Sequence, residues 1–167
     1  TLGEGGAAKC GAAGNGGTCF AFQAPARYAR GLKAVGFDML NMANNHAMDF
    51  GPVGFSQTIK ALREHGMRRT GAPGQIAVLR RRGVRIAFVG FAAYRWANDI
   101  NDLAGARALV QQARRRAQIV VVLMHAGAEG EDQTHVPSGP EVAFGEQRGD
   151  TRRFAHTVID AGANLVL

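Results

Sequence analysis

Along this chain, short apolar runs alternate with stretches in which apolar residues recur every three or four positions. The first pattern marks buried strands and the second amphipathic helices. From Pro25 onward the alternation is regular. "APARYARGLKAVG" places Tyr28, Leu32 and Val35 on one helical face, and Gly36 can end the helix. "FDMLNMA" follows as a short apolar strand. "GFSQTIKALREHG" repeats the helical pattern with Phe55, Ile59 and Leu62 and is closed by Gly66. Two strand-like runs then flank "RRRG", which predicts a hairpin. Its second arm, Val84 to Phe91, is nearly all apolar and reads as a central strand buried on both faces. "GARALVQQARRRA" is a helix leading into "IVVVLMH", the most hydrophobic strand of the chain. A long polar loop precedes "DTRRFAHTVIDAG", a helix with Asp150 as its N-cap and Phe154, Val158 and Ile159 on its apolar face. "NLVL" begins a further strand. This order predicts an α/β fold with a mixed, largely parallel sheet flanked by helices. Residues 1–23 are glycine-rich and irregular, so the folded domain is expected over 24–167.

Composition narrows the picture. A chain of 167 residues defaults to one domain. Its 46% hydrophobic and 20% charged residues are ordinary for a globular protein. No apolar run approaches the roughly 18 residues of a membrane span, and no signal-peptide pattern is present. The chain begins at Thr1 without a methionine and stops inside "NLVL". The expectation is a piece of a longer protein, with targeting and any membrane attachment in the missing segments.

The net charge is +7, with arginine triplets at Arg80–Arg82 and Arg114–Arg116. Nucleic-acid binding would want such residues interleaved with aromatics, and neither triplet sits beside one. The triplets read instead as a solvated hairpin turn and a helix end, where cations suit the dipole. Nucleic acid is therefore disfavoured as a partner.

Cys10 and Cys19 bracket a Gly/Ala/Asn-rich segment that has no core-forming residues. A disulfide would restrain such a loop in an oxidising compartment. The alternative is two unrelated thiols. A zinc pair fits poorly, because no second pair of soft ligands follows at finger spacing.

Candidate chemistry gathers at two strand ends. "NMANNHAMDFG" follows the first strand and "HAGAEGED" follows "IVVVLM". In open α/β sheets, ligand sites form at the carboxyl ends of strands. Parallel neighbouring strands would bring His46 and His125 to one edge. Imidazole with amide or carboxylate oxygens suits a borderline divalent metal. The plainer alternative is turn-building, the commonest use of Asn and Asp after a strand. The remaining histidines are weaker candidates. His65 ends a helix, His156 points away from its helix's apolar face, and His135 sits in the long loop.

"GFDMLNMANNHAMDFGPVGFSQTIKALREHG", "VVVLMHAGAEGED" and "FAHTVIDAGANLVL" resemble, in order, segments of the CapA-type family of bacterial poly-γ-glutamate capsule biosynthesis proteins. The pattern N-N-H-x-x-D-x-G followed by H-x-G-x-E is the specific part, and the resemblance is weakest before Pro25. That family looks like a branch of the calcineurin-like metallophosphoesterases, which build a two-metal site in an α/β/β/α sandwich. The resemblance implies part of such a sandwich, truncated at both ends. It casts Asn45 as a metal ligand and His46 as the substrate-facing acid or transition-state stabiliser. His125 would be a second metal ligand. Asp49 would orient His46 or cap a turn. Asn44 stands in the motif's glycine place, and Glu129 belongs to the capsule family's own motif. Both are assigned to the substrate side.

The first metal motifs of that superfamily would lie before Thr1 and the last beyond Leu167, so this span would hold half of a two-metal site. Asn164 and Ala126 depart from the residues usual at their positions. The implied function is capsule or poly-γ-glutamate biosynthesis, with metal-dependent hydrolysis or transfer on an anionic substrate. The alternative is a non-catalytic accessory protein that holds an anionic polymer during assembly or export. Implied partners are an anionic polymer or phosphoester and the capsule synthesis machinery. The implied location is extracellular or in the cell envelope.

Overall fold

The computed structural model describes residues 1–11 and 19–167. The glycine-rich stretch 12–18, part of the segment read as irregular, lies outside the described residues. The chain divides into two compact units. One comprises Thr1–Leu40 and Asn45–Arg69, the other Asn41–Asn44 and Thr70–Leu167.

In the first unit, α1 spans Tyr28–Ala34 and α2 spans Gly51–Glu64. Both helices end by the same device. Gly36 and Gly66 take positive φ, and the following amides reach back to Leu32 O and Leu62 O. This closes the last turn as a glycine C-cap does. Pro52 opens α2, where a missing N–H costs nothing. The helix buries Gly54, Thr58, Ala61 and Leu62. Only Ala29 of α1 is buried, and Tyr28 and Val35 are exposed, so the apolar face read for that helix is not a core face.

The run read as a buried strand is β1, only Met39–Asn41 and half-buried. It pairs with β2, Arg68–Thr70, which the hydrophobic pattern did not predict. The segment before α1 is not free of structure. Leu2 bridges Ala24, and the Leu2 amide donates to the Thr58 hydroxyl on α2. Cys10 and Cys19 are joined by a disulfide, with Cα atoms 5.6 Å apart.

The second unit is built on a five-stranded mixed sheet. It comprises β3 (Ala77–Arg81), β4 (Val84–Ala92), β6 (Ile119–His125) and β9 (Leu165–Val166) in that order, with β5 (Asn98–Asp99) pairing the end of β4. β3 and β4 form the expected antiparallel hairpin, and the other pairings are parallel. Arg82 and Gly83 both take positive φ between the paired Arg81 and Val84, the two-residue turn that suits twisted strands.

α3 (Leu103–Arg116) and α4 (Thr151–Asp160) pack against this sheet. Ala106, Val110 and Ala113 of α3 and Phe154 and Val158 of α4 meet Ala87, Val89, Phe91, Val120 and Val122 of the central strands. Phe91 and Phe154 meet edge to face at 5.0 Å, a favoured aromatic geometry. Asp150 caps α4 by accepting from the Arg153 amide, and Asp102 caps α3 by accepting from Gly105. Ile159, read as part of the apolar face of α4, is exposed.

Two expectations are corrected. The strands before His46 and His125 do not belong to one sheet, because β1 pairs with β2 while β6 pairs with β4 and β9. The long polar loop after β6 contains a hairpin, β7 (Glu141–Ala143) and β8 (Glu146–Gly149), with Phe144 and Gly145 at positive φ in its turn.

Candidate functional site

The loop after β1 begins with side chains that shape its backbone. Asn41 Oδ1 accepts from the Ala43 amide at 3.0 Å, and Asn44 Nδ2 donates to Asn41 O at 3.1 Å. The Asn44 carbonyl in turn accepts from Trp96 Nε1 at 3.2 Å. These two asparagines thus hold a turn together, the ordinary use of the residue type.

The next residues, in the first unit, are arranged differently. Asp49 is fully buried, and its carboxylate meets three groups. His46 Nδ1 lies 2.8 Å from Oδ2, the Phe22 amide donates to Oδ2 at 2.7 Å, and Lys9 Nζ makes an ion-pair contact with Oδ1 at 2.6 Å. An ionised carboxylate only accepts, so His46 Nδ1 carries the proton and Nε2 is turned to the opposite side of the ring. The Phe22 ring packs edge-on against the imidazole, 4.7 Å between centroids. The His46 side chain is 36% exposed, so the ring is anchored at one end and reaches solvent. Its neighbour Asn45 has a buried side-chain oxygen with no hydrogen-bond partner among the described residues. Lys9 Nζ also donates to the Asn45 carbonyl at 3.2 Å. Sequence reasoning named Asn45, His46 and Asp49 but missed Lys9 and Phe22, which lie in the segment read as irregular.

His125 belongs to the second unit, at the end of β6. The Tyr94 ring lies 6.5 Å from its imidazole, centroid to centroid, and stacks on Trp96 at 4.8 Å. The Tyr94 hydroxyl donates to Glu146 Oε2 at 2.7 Å. Burial first, and then that bond to a carboxylate, push the Tyr94 phenol well above its ordinary pKa. Arg148 is buried beneath this cluster. Its Nε lies 3.0 Å from Glu146 Oε2 and its Nη2 lies 3.0 Å from Glu129 Oε1, while the guanidinium sits 5.7 Å from the Tyr94 ring centroid.

The loop after His125 is pinned from two sides. Gly127 N donates to Arg148 O, and Ala128 N donates to the buried Glu141 carboxylate, which also accepts from Thr151. Glu129, assigned from the motif to the substrate side, is here the ion-pair partner of Arg148. Glu141 and Arg148 were not singled out beforehand, because a charged residue in a polar loop reads as solvated. A cleft of about 910 Å³ in the same unit is walled by Phe91, Tyr94, Asn98, Asp102, Leu109 and Glu146, and neither His125 nor Glu129 lines it. Among the described residues, no three His, Cys, Asp or Glu side chains come together as a metal-binding group. No described helix is long and apolar enough to cross a membrane.

Residues 4–167 match the family model for the bacterial capsule synthesis protein PGA_cap. Over 153 residues the chain is 27% identical to the PGA biosynthesis protein CapA of Bacillus subtilis (strain 168), covering 81% of this chain and 37% of that protein. Over 158 residues it is 28% identical to the capsule biosynthesis protein CapA of Bacillus anthracis, covering 83% of this chain and 35% of that protein. The chain thus spans little more than a third of the length of these relatives. The chain belongs to the PGA_cap family of bacterial capsule synthesis proteins.

Proposed function

We propose that this member of the capsule synthesis family acts through the Asn45–His46–Asp49 loop, in metal-assisted hydrolysis or transfer on an anionic substrate of capsule assembly. The observation that carries the reading is the fully buried Asp49 carboxylate 2.8 Å from His46 Nδ1. A buried carboxylate is costly unless it is paired and hydrogen-bonded. Here the pairing holds one imidazole in one tautomer and one orientation. That is what a general acid or a donor to a developing oxyanion requires. In the acid role, the ring takes a second proton at Nε2 and passes it to the leaving oxygen as its bond breaks, returning to the Nδ1–H tautomer while Asp49 stays ionised and steadies the ring.

Asn45 fits a divalent cation in one respect. Its orphaned, buried amide oxygen is a hard donor in need of a partner. A bound cation would supply Lewis-acid activation of an anionic oxygen. The net charge of +7 supports an anionic substrate, since it would draw a polyanion by its long-range field. The family's role supports the capsule synthesis machinery as partner and the cell envelope as the place of action.

The test uses the full-length protein, with bound metal measured beside turnover on phosphodiester and polyglutamate substrates. Asn45→Ala is expected to lose metal. His46→Ala is expected to keep metal and to lose turnover by roughly 100-fold, the scale of a missing general acid. If His46→Ala strips the metal as thoroughly as Asn45→Ala, the division of roles is wrong. If both variants keep full metal and full capsule formation, the loop does no chemistry and the polymer-holding, accessory role replaces this one.

A further inference from the structure

We infer that Lys9 is a positioning residue for His46, held in place by the Cys10–Cys19 disulfide. The inference rests on the reading of His46 above, and it begins from a convergence that this reading does not use. Lys9 touches the His46 turn at three points. Its backbone N–H donates to Asp49 O at 2.8 Å, its Nζ donates to Asn45 O at 3.2 Å, and the same Nζ contacts Asp49 Oδ1 at 2.6 Å. One residue therefore ties the main chain on both sides of His46 and the carboxylate that orients its ring.

The other arm of the same loop reaches the same carboxylate. Phe22 lies three residues beyond Cys19. Its N–H donates to Asp49 Oδ2 and its ring flanks the imidazole. Each carboxylate oxygen is thus assigned, Oδ1 to Lys9 and Oδ2 to His46 and Phe22. The disulfide joins the two arms one residue after Lys9 and three before Phe22. Between the cysteines the chain is largely Gly, Ala and Asn, which loses much conformational entropy when its ends are brought together. The covalent bond removes most of that cost in advance. With its ammonium engaged by a fully buried carboxylate, Lys9 is not a cation offered to substrate. It acts through Asp49.

Without Lys9, the buried Oδ1 loses its ion-pair partner. The carboxylate then has reason to turn and loosen its hold on the ring. Reducing the disulfide frees both arms and has the same consequence. The orientation of His46 is therefore tied to the oxidised state of a loop outside the N-N-H-x-x-D motif.

The test reads the ring nitrogens of His46 by ¹⁵N NMR in the full-length protein, with the signal assigned by its absence in His46→Ala. In the wild type the Nδ1–H tautomer is expected to dominate. Lys9→Met, and separately the Cys10→Ser/Cys19→Ser pair, are expected to mix the tautomers and lower kcat about 10- to 100-fold, as loss of an orienting partner does. KM and metal content should stay near wild type. Lys9→Arg should recover much of both signals. If Lys9→Met keeps the wild-type tautomer and kcat while only Tm falls, Lys9 is merely structural and the inference fails. Should the cysteine pair fail to fold, Lys9→Met alone decides. If His46→Ala leaves turnover unchanged, the catalytic reading falls, and the tautomer signal still judges Lys9 on its own.

Discussion

Arg148 offers a test of which side of an ion pair carries its cost. Its side chain is 3% exposed, whereas its two partners, Glu129 and Glu146, are 47% and 44% exposed. Replacing Arg148 by Met keeps the buried aliphatic stem and removes the charge. Both carboxylates can then hydrate where they stand. What is lost is two half-exposed ion contacts, together about 1 kcal/mol. The Gly127 N to Arg148 O bond is main-chain and survives the change. Replacing Glu146 by Ala does the reverse. Among the described residues, the buried guanidinium then keeps Glu129 alone as an ion-pair partner, and the Tyr94 hydroxyl loses its acceptor. Breaking a buried pair from that side costs about 3 kcal/mol or more, because the charge left behind cannot rehydrate. Trp96 is the only tryptophan and stacks on Tyr94, so its fluorescence reports on this cluster during urea unfolding. At roughly 2 kcal/mol per molar urea, the midpoint should fall by about 0.5 M for Arg148→Met and about 1.5 M for Glu146→Ala. The double variant should recover most of the Glu146→Ala loss. A larger fall for Arg148→Met, or a double variant worse than Glu146→Ala alone, would refute the reasoning.

Tyr94 should give this unit an alkaline limit. Its phenol is raised in the folded state, so its contribution to stability is fully present below about pH 10, the unfolded value, and is lost as pH rises from there toward the folded value. Tyr94→Phe should flatten that alkaline slope in urea titrations taken across the range, while costing about 1 kcal/mol near neutrality for the lost hydrogen bond. An unchanged slope would assign the alkaline loss elsewhere. Gly90→Ala tests close packing at β4, since an added Cβ would meet Asn41 Oδ1 and come within 3.0 Å of Gly71 Cα. Overpacking of this kind costs about 1–3 kcal/mol, and a variant as stable as the wild type would show that the Asn41 turn can move aside.

Elements whose signals are local could be read from sequence. The β3–β4 hairpin announced itself through a turn ending in glycine between two apolar runs. α3 and α4 carry Asp102 and Asp150 at their N-termini, where a short carboxylate satisfies an orphan amide. What was missed depends on partners far along the chain. β2 and β5 are three and two residues long, too short for any periodicity. The β7–β8 hairpin hid in polar sequence, because Val142 and Phe144 face solvent and no apolar face marks it. Arg148 looked solvated because one of its carboxylates, Glu129, comes from the far end of the same loop. Within the candidate site, the motif named Asn45, His46 and Asp49 but not the groups that hold Asp49. Lys9 and Phe22 reach Asp49 only because the chain before α1 folds back on the loop, and no spacing rule carries that information.

The burial of Asp49 also bears on the choice between chemistry and simple holding. A protein that only retains a polyanion needs cations near its surface, and this chain has a surplus of them. A carboxylate placed under the one imidazole of the loop works against that task, because its charge offsets any positive charge the ring acquires. Removing it from water costs several kcal/mol, and that cost is met by an amide, an ammonium and the imidazole converging on two oxygens. Three elements of the chain are committed to fixing one ring. Electrostatic attraction gains little from such fixing, since it varies slowly with angle over the length of a side chain. Proton transfer gains much, since it fails when donor and acceptor are out of line. The arrangement is therefore better matched to a directed proton at His46 Nε2 than to retention of a charged polymer. The contrast between Asp49→Asn and Asp49→Leu makes the difference measurable. Asp49→Asn can still accept from Nδ1 and should keep most of the ring's orientation, whereas Asp49→Leu cannot. If the two variants lose turnover equally while retaining metal, orientation is not what the buried carboxylate provides.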